Sequence, residues 1–300
     1  MIFLVGVLLS ILSGGLYFGR NAVSKKITNS GIKPVELTGI QNISGVVVFL
    51  ILILISGSNP FGRLSSNDIP AFLALMLIIG ILAYIAGKLQ YEAVKSLPLS
   101  TTVLAYDIVP IVTTIFAVII INEGISWYDL LGIIVTTLGI LLIDFEKFSK
   151  KQYKSFSLKK IFKNKSNKIV FVSIVAFSLM AVLQKKALLM SGEVLPVFFF
   201  MYLTVALIAS GSIYGLKDKI PTLKAKQKNL IIFVVVALLA FATGIIALQY
   251  IPVGISSAMK GFITPFLVLT ATLKYKEGNL AKKLLASGVI GGGIIVMSLT

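Results

Sequence analysis

The chain has no cysteine and no histidine among its 300 residues. The missing cysteines exclude disulfide bonds and thiol nucleophiles, and the two absences together exclude a cysteine–histidine metal site. The missing histidines also remove the side chain that most often carries protons near neutral pH. Because the glycine clusters lack the context of a phosphate-binding loop, the sequence predicts neither an enzyme nor a bound cofactor.

Charged residues are also scarce, at 13% of the chain, whereas a soluble domain averages about 25%. Hydrophobic residues make up 57%, so we expect the excess apolar surface to face lipid. The net charge is +17, but the lysines cluster between apolar runs, which indicates anchoring at a membrane surface. Nucleic-acid binding would need a soluble basic face, and no soluble domain is available to carry one.

Ten apolar stretches are long enough to cross a bilayer, since a spanning helix needs about 20 residues. They must be helical because an unpaired backbone cannot face hydrocarbon. A membrane barrel is excluded because the stretches do not alternate polar and apolar residues. The predicted spans cover residues 2–20, 35–56, 70–95, 99–121, 126–145, 169–190, 195–215, 229–250, 254–273 and 280–299. An alternative for the first span is that it continues to Ile27.

A segment with nine lysines, residues 147–168, separates the first five spans from the last five. We interpret it as a solvated linker, or alternatively as a short interfacial helix. The predicted units are therefore a first repeat at 1–146, this linker, and a second repeat at 169–300. Because five is odd, the two repeats must cross the membrane in opposite directions, an arrangement typical of secondary transporters.

The second repeat echoes the first when the sequence is shifted by 154 residues. Two lysine pairs, Lys25-Lys26 and Lys185-Lys186, also recur near the start of each repeat. The ungapped matches include Pro98 with Pro252, Glu123-Gly124 with Glu277-Gly278, and Gly139-Ile140 with Gly293-Ile294.

The motifs of the second repeat are a helix end at residues 247–253, a central Pro265, the Glu277-Gly278 turn and a glycine-rich last helix. They resemble the EamA-type ten-helix members of the drug/metabolite transporter superfamily, and the resemblance covers nearly the whole chain. It implies a pseudo-two-fold basket around one central cavity, lined by the first four helices of each repeat. It also implies a multi-pass protein of the cell membrane that moves small organic metabolites such as amino acids, often out of the cell.

Polar side chains at membrane depth are costly and therefore mark candidate sites. Asp107 in the fourth span and Lys260 in the ninth nearly superpose under the repeat, with Tyr106 beside Asp107. We predict that they face the cavity and bind a charged or zwitterionic substrate, with Asp107 alternatively taking up a proton. The competing interpretation is a structural ion pair that closes one end.

Further predicted substrate-binding residues are Tyr17 and Asn21 on the first span, Tyr84 and Lys88 on the third, and Gln184 on the sixth. Interhelical hydrogen bonds or an interfacial belt of tyrosine and lysine, favoured for Tyr91, would explain the same residues without a substrate. Pro110 and Pro265 are predicted hinges. Glu123 and Glu277 are interpreted as caps of the helices that follow them.

Orientation is left open by two opposed arguments. The lysine and arginine distribution places both termini outside, whereas the resemblance implies cytoplasmic termini, which we adopt as the working prediction. The expected function is alternating access around a midplane site, with small-molecule substrate and lipid as partners. The alternatives are a non-transporting membrane scaffold or a channel, and either a monomer or a homodimer fits the sequence.

Overall fold

The computed structural model describes residues 2–59, 61–97, 106, 108–124, 126–144, 165–213, 219–263, 269–270 and 280–297. This described part is built of helices and contains no strand. The helices are α1 Ile2–Thr28, α2 Pro34–Ser56, α3 Ile69–Ser96, α4 Val109–Ile121, α5 Trp127–Asp144, α6 Lys165–Ser191, α7 Val194–Ile213, α8 Ile220–Ala225, α9 Gln227–Ala247, α10 Val253–Gly261 and α11 Leu280–Met297.

Six of the described helices, α1, α2, α3, α6, α7 and α9, are long and apolar enough to cross a membrane. The prediction of an all-helical, multi-pass membrane protein is therefore confirmed. Two details differ from the sequence prediction. Helix α6 begins at Lys165, inside the predicted linker, and the six-residue α8 precedes the eighth predicted span.

Helix α2 shows how local sequence sets the helix ends. Pro34 occupies the first turn, where its missing N–H costs no hydrogen bond. The Glu36 carboxylate accepts the Lys33 backbone N–H at 2.6 Å, which caps the helix start. At the other end Gly57 takes the left-handed conformation, with φ of 62°, and stops the helix.

The outer surface of the bundle is apolar. Leu54 and Ile55 of α2 and Ile119 of α4 each expose at least 70% of their surface. Between α2 and α7, by contrast, the rings of Phe49 and Phe198 stack at 4.5 Å. The exposed aliphatic groups are matched to lipid tails, whereas the stacked aromatic rings hold the two helices together.

The main helix contacts join the two halves of the sequence. Helix α1 packs on α9, α3 on α6, α2 on α7, and α5 on α11. The Ser10 hydroxyl of α1 lies 2.9 Å from the Ser256 hydroxyl of α10. The Ser13 hydroxyl of α1 donates to the Ala240 carbonyl of α9 at 2.8 Å. Gly14 lies against the backbone carbonyl of Lys260, where any added Cβ would collide. The halves are thus interleaved instead of forming two separate bundles.

Candidate functional site

A cavity of about 160 Å³ lies between helices from both halves. Helices α1, α3, α4, α6, α9 and α10 supply its walls. Helices α2 and α7, which the resemblance also assigned to the wall, contribute no lining residue because they pack against each other. The lining residues are Gly14, Tyr17, Phe18, Asn21, Gln90, Tyr106, Val109, Pro110, Phe177, Met180, Ala181, Gln184, Phe241, Gly244, Ile245, Leu248, Ser257, Lys260 and Gly261.

Five of the predicted substrate-binding residues lie in this wall: Tyr17, Asn21, Tyr106, Gln184 and Lys260. The Tyr106 hydroxyl lies 2.7 Å from the Ser173 hydroxyl, which fixes the ring against α6. The Gln184 amide nitrogen contacts the Met201 sulfur at 3.0 Å. That these side chains bind a substrate stays a prediction, but the fold does bring them to one chamber.

Lys260 projects from α10 into a space left by a glycine. A Cβ placed on Gly244 would lie 3.4 Å from the Lys260 Nζ, so any larger residue there would crowd the ammonium. Within the part of the chain that the structure describes, the salt bridges are Lys185–Glu123 and Lys219–Glu36, and neither involves Lys260. The ammonium therefore enters the cavity wall without a described carboxylate beside it.

Arg20 is a second buried cation that the sequence reasoning did not assign to the site. Its side chain is 1% exposed, and its guanidinium donates to the Gln90 amide oxygen and, at 3.3 Å, to that of Asn21. The guanidinium also lies 4.4 Å from the centre of the Tyr17 ring. The sequence signal for its burial is the possible extension of the first span to Ile27. Helix α1 does run on to Thr28, which places Arg20 eight residues, about 12 Å of helix, before its end.

Two predicted binding residues, Tyr84 and Lys88, do not line the cavity. Their neighbour Tyr91 was interpreted as part of an interfacial belt, but it is 1% exposed and donates to the Gln41 amide oxygen. The three residues share a face of α3, yet the helix is 28 residues long. The helices that pack against α3 change along its length. Residues on one face of α3 that lie two turns apart, such as Tyr84 and Tyr91, therefore have different neighbours.

The remaining predicted residues have mixed outcomes. Pro110 lines the cavity and lies in the first turn of α4, where it fits without breaking a helix. Its role as a hinge stays a prediction. Asp107, Pro265 and Glu277 lie outside the described residues, so the Asp107–Lys260 pairing and the second hinge also stay predictions.

Glu123 caps a helix, but not the one that follows it. Its carboxylate oxygens accept the backbone N–H of Val253, the first residue of α10, at 3.0 and 3.3 Å. The Lys185 ammonium lies 3.9 Å from the same carboxylate and donates to the Ile251 carbonyl at 2.9 Å. Burial raises the pKa of Glu123, an effect opposed by the Val253 hydrogen bond and by Lys185. We name Glu123, Lys185, Ile251 and Val253 the rim clamp.

The rim clamp lies next to the cavity along two helices. Gln184, which lines the chamber, directly precedes Lys185, and Leu248 lines it three residues before Ile251. The clamp joins the α4–α5 connection of the first half to α6 and the start of α10 in the second. It therefore fastens elements of both halves at one edge of the chamber.

A comparison with known proteins finds a family match in the first half of the chain. Residues 4–144 match the EamA-like transporter family. It is part of the drug/metabolite transporter superfamily, as the resemblance implied, and its members are transporters and not enzymes.

A solved crystal structure is similar to this chain over both halves. It matches this chain with a TM-score of 0.68 and 15% identity, over 99% of this chain and 97% of the other. At that identity the likeness shows the fold alone. Among curated proteins, none matches the chain.

Proposed function

We propose that the protein is a ten-helix secondary transporter of the cell membrane, built from two inverted five-helix repeats, that exports small organic metabolites such as amino acids by alternating access. The observation that carries this proposal is the central chamber, which buries Lys260 and several amides among helices of both halves. Polar groups at membrane depth, arranged around a space, are typical of a solute pathway.

The helix contacts support the repeat. If the halves are equivalent, α1, α3 and α4 of the first half correspond to α6, α9 and α10 of the second. The contact of α1 with α9 should then have a counterpart between α6 and α3, and the contact of α1 with α10 a counterpart between α6 and α4. All four contacts exist. The pairs α2–α7, α4–α10 and α5–α11 map onto themselves. This pattern is expected of a pseudo-two-fold structure with its axis between the halves.

The rim clamp also has a partial counterpart. Lys25 donates to the Leu97 carbonyl at 3.0 Å, as Lys185 does to that of Ile251, and a shift of 154 residues places Leu97 on Ile251. Inverted repeats carry such equivalent positions to opposite faces of the membrane. We infer that the two lysines fasten opposite ends of the chamber, and that transport releases them alternately.

The interleaved packing changes which bodies move. Because α1 packs on α9 and α10 of the other half, a motion of one entire sequence repeat against the other would break the tightest contacts. The rocking bodies are therefore expected to combine helices from both repeats. The scaffold and channel alternatives remain from the sequence, but neither accounts for a chamber fastened at its edge.

The test is flux into liposomes. Purified protein is reconstituted, the vesicles are loaded with an unlabelled mixture of amino acids and organic acids, and uptake of each labelled compound is followed. Exchange that saturates and disappears in Gln184→Ala vesicles, but persists in vesicles of Lys228→Gln, an exposed lysine outside the chamber, supports the transporter. Flux that never saturates would favour a channel, and no flux for any compound would favour a scaffold.

A further inference from the structure

Among the described residues, the charged groups in and behind the chamber wall are positive. Lys260 lines it, and Arg20 lies directly behind Asn21 and Gln90, which also line it. Among the described residues no carboxylate lies within 4 Å of either cation. An unpaired charge in a low-dielectric interior is costly, so a buried cation normally has an anion as its partner.

The hydrogen-bonding of Arg20 indicates that it holds the wall in place. The amide oxygens of Gln90 and Asn21 accept from its guanidinium, which orients both amide groups, while its Nε has no partner. Lys260 differs because its ammonium lies at the wall itself, over Gly244. It is the cation that a solute in the chamber can reach.

Beside these polar groups, the wall has a large apolar part. Phe177, Met180 and Leu248 face the same space, so a solute that fits must combine one charged group with a hydrocarbon or aromatic body. Among the described lining residues none is acidic, so no described carboxylate is available to pair with an amine. A cationic solute would instead meet two positive charges.

We propose that the chamber takes a small organic acid, whose carboxylate pairs with the Lys260 ammonium while Arg20 adds a favourable field from behind the amides. This inference rests on the proposed function for its site and deepens it by naming the group that the site recognises. A second acidic group is not required, so both a simple organic anion and the carboxylate end of a zwitterion fit.

Three probes test the charge preference, and apart from the carboxylate carbon they share the same branched five-carbon skeleton. They are 4-methyl-2-oxopentanoate, leucine and isoamylamine, which present an anion, a zwitterion and a cation. The thermal unfolding midpoint of the purified protein is measured against the concentration of each, because a ligand of the folded state raises it by mass action. The oxo acid and leucine should raise the midpoint, and the amine should not. Protection by the amine equal to that by the acid, or none by either carboxylate, overturns the proposal.

Variants assign the effect to Lys260. Lys260→Gln should weaken protection by the oxo acid about tenfold, the loss typical of one charge-assisted hydrogen bond, and Lys260→Arg should restore most of it. Lys228→Gln, at an exposed lysine of α9 outside the chamber, is the matched control and should behave as wild type. Unchanged protection in Lys260→Gln overturns the assignment. If Lys260→Gln does not fold, the comparison of Lys260→Arg with the probe series still decides, since a cation at 260 must keep the acid preference.

The two proposals fail separately. Carboxylate protection without flux in liposomes would sink the transporter and leave the carboxylate site standing. Saturable flux of amines, with no carboxylate protection, would leave the transporter standing and sink the carboxylate site.

Discussion

Removing the Glu123 carboxylate should open the chamber at the rim clamp. The carboxylate accepts the Val253 N–H in two contacts and lies beside Lys185. If transport separates Glu123 from the start of α10, these interactions exist only in the closed state. Glu123→Ala then removes them from one side of the equilibrium and should populate the open state.

The size of the effect follows from the geometry. A hydrogen bond to a charged group contributes about 1.5–3 kcal/mol. The ion pair is long, at 3.9 Å, and its side chains are 14% and 21% exposed, so it adds less than about 1 kcal/mol. We expect Glu123→Ala to cost the closed state about 2 kcal/mol, which is about thirtyfold in the open-to-closed ratio. Glu123→Gln keeps an acceptor oxygen and should cost about half as much.

The natural absence of cysteine provides the assay. Ser257→Cys places a single thiol in the chamber wall, and its labelling rate by a membrane-impermeant thiol reagent reports how often the rim opens. With the protein in vesicles, the reagent is added to one side at a time. Glu123→Ala should accelerate labelling about thirtyfold from one side, on the same scale as the population shift.

A matched control separates gating from general loosening. Glu36 pairs with Lys219 at 2.7 Å, but neither residue lines the chamber. Glu36→Ala should therefore lower the unfolding midpoint without changing the Ser257→Cys labelling rate. The reasoning is refuted if Glu123→Ala labels at the wild-type rate, or if both variants accelerate labelling equally from both sides.

Three further predictions concern stability. Because burial raises the pKa of Glu123, the folded protein holds that proton more tightly than the unfolded chain, and stability falls as pH rises through the raised pKa. The unfolding midpoint of wild type should therefore rise relative to that of Glu123→Gln as pH falls through the raised pKa of Glu123. A difference between the two midpoints that does not change with pH would contradict this. Gly14→Ala should separate α1 from α10 and strongly lower the unfolding midpoint. Gly19→Ala is the control, because its Cβ would meet its nearest neighbour at 3.6 Å, and it should leave the midpoint unchanged. Equal midpoints for the two variants would contradict the prediction. Tyr91→Phe leaves the Gln41 amide oxygen without its donor and should lower the free energy of chemical unfolding by about 1–2 kcal/mol. An unchanged free energy of unfolding would contradict this prediction.

The sequence predicted the helical membrane architecture because hydrophobic length is a local property, readable within each span. It also predicted Tyr17, Asn21 and Lys260 in the wall, since polar groups at mid-span depth must avoid lipid. Tyr84 and Lys88 do not line the chamber, because a shared helix face does not reveal which helix lies opposite.

Glu123 illustrates the same limit at longer range. The sequence indicated a capping carboxylate, and the structure contains one. Its partner Val253 lies 130 residues further along the chain, however, and no local motif specifies which helix start comes near. Arg20 was missed for another reason, since counting basic residues at span ends ignores how far inside the helix each one lies.

The serine and glycine face of α1 has a consequence for biosynthesis. Ser10, Ser13 and Gly14 find their partners on α9 and α10, which the ribosome makes more than 200 residues later. Until then these residues of the first helix lack the partners that they have in the folded protein. A nascent chain halted after the first repeat should accordingly be short-lived, and supplying the second repeat as a separate polypeptide should prolong its survival.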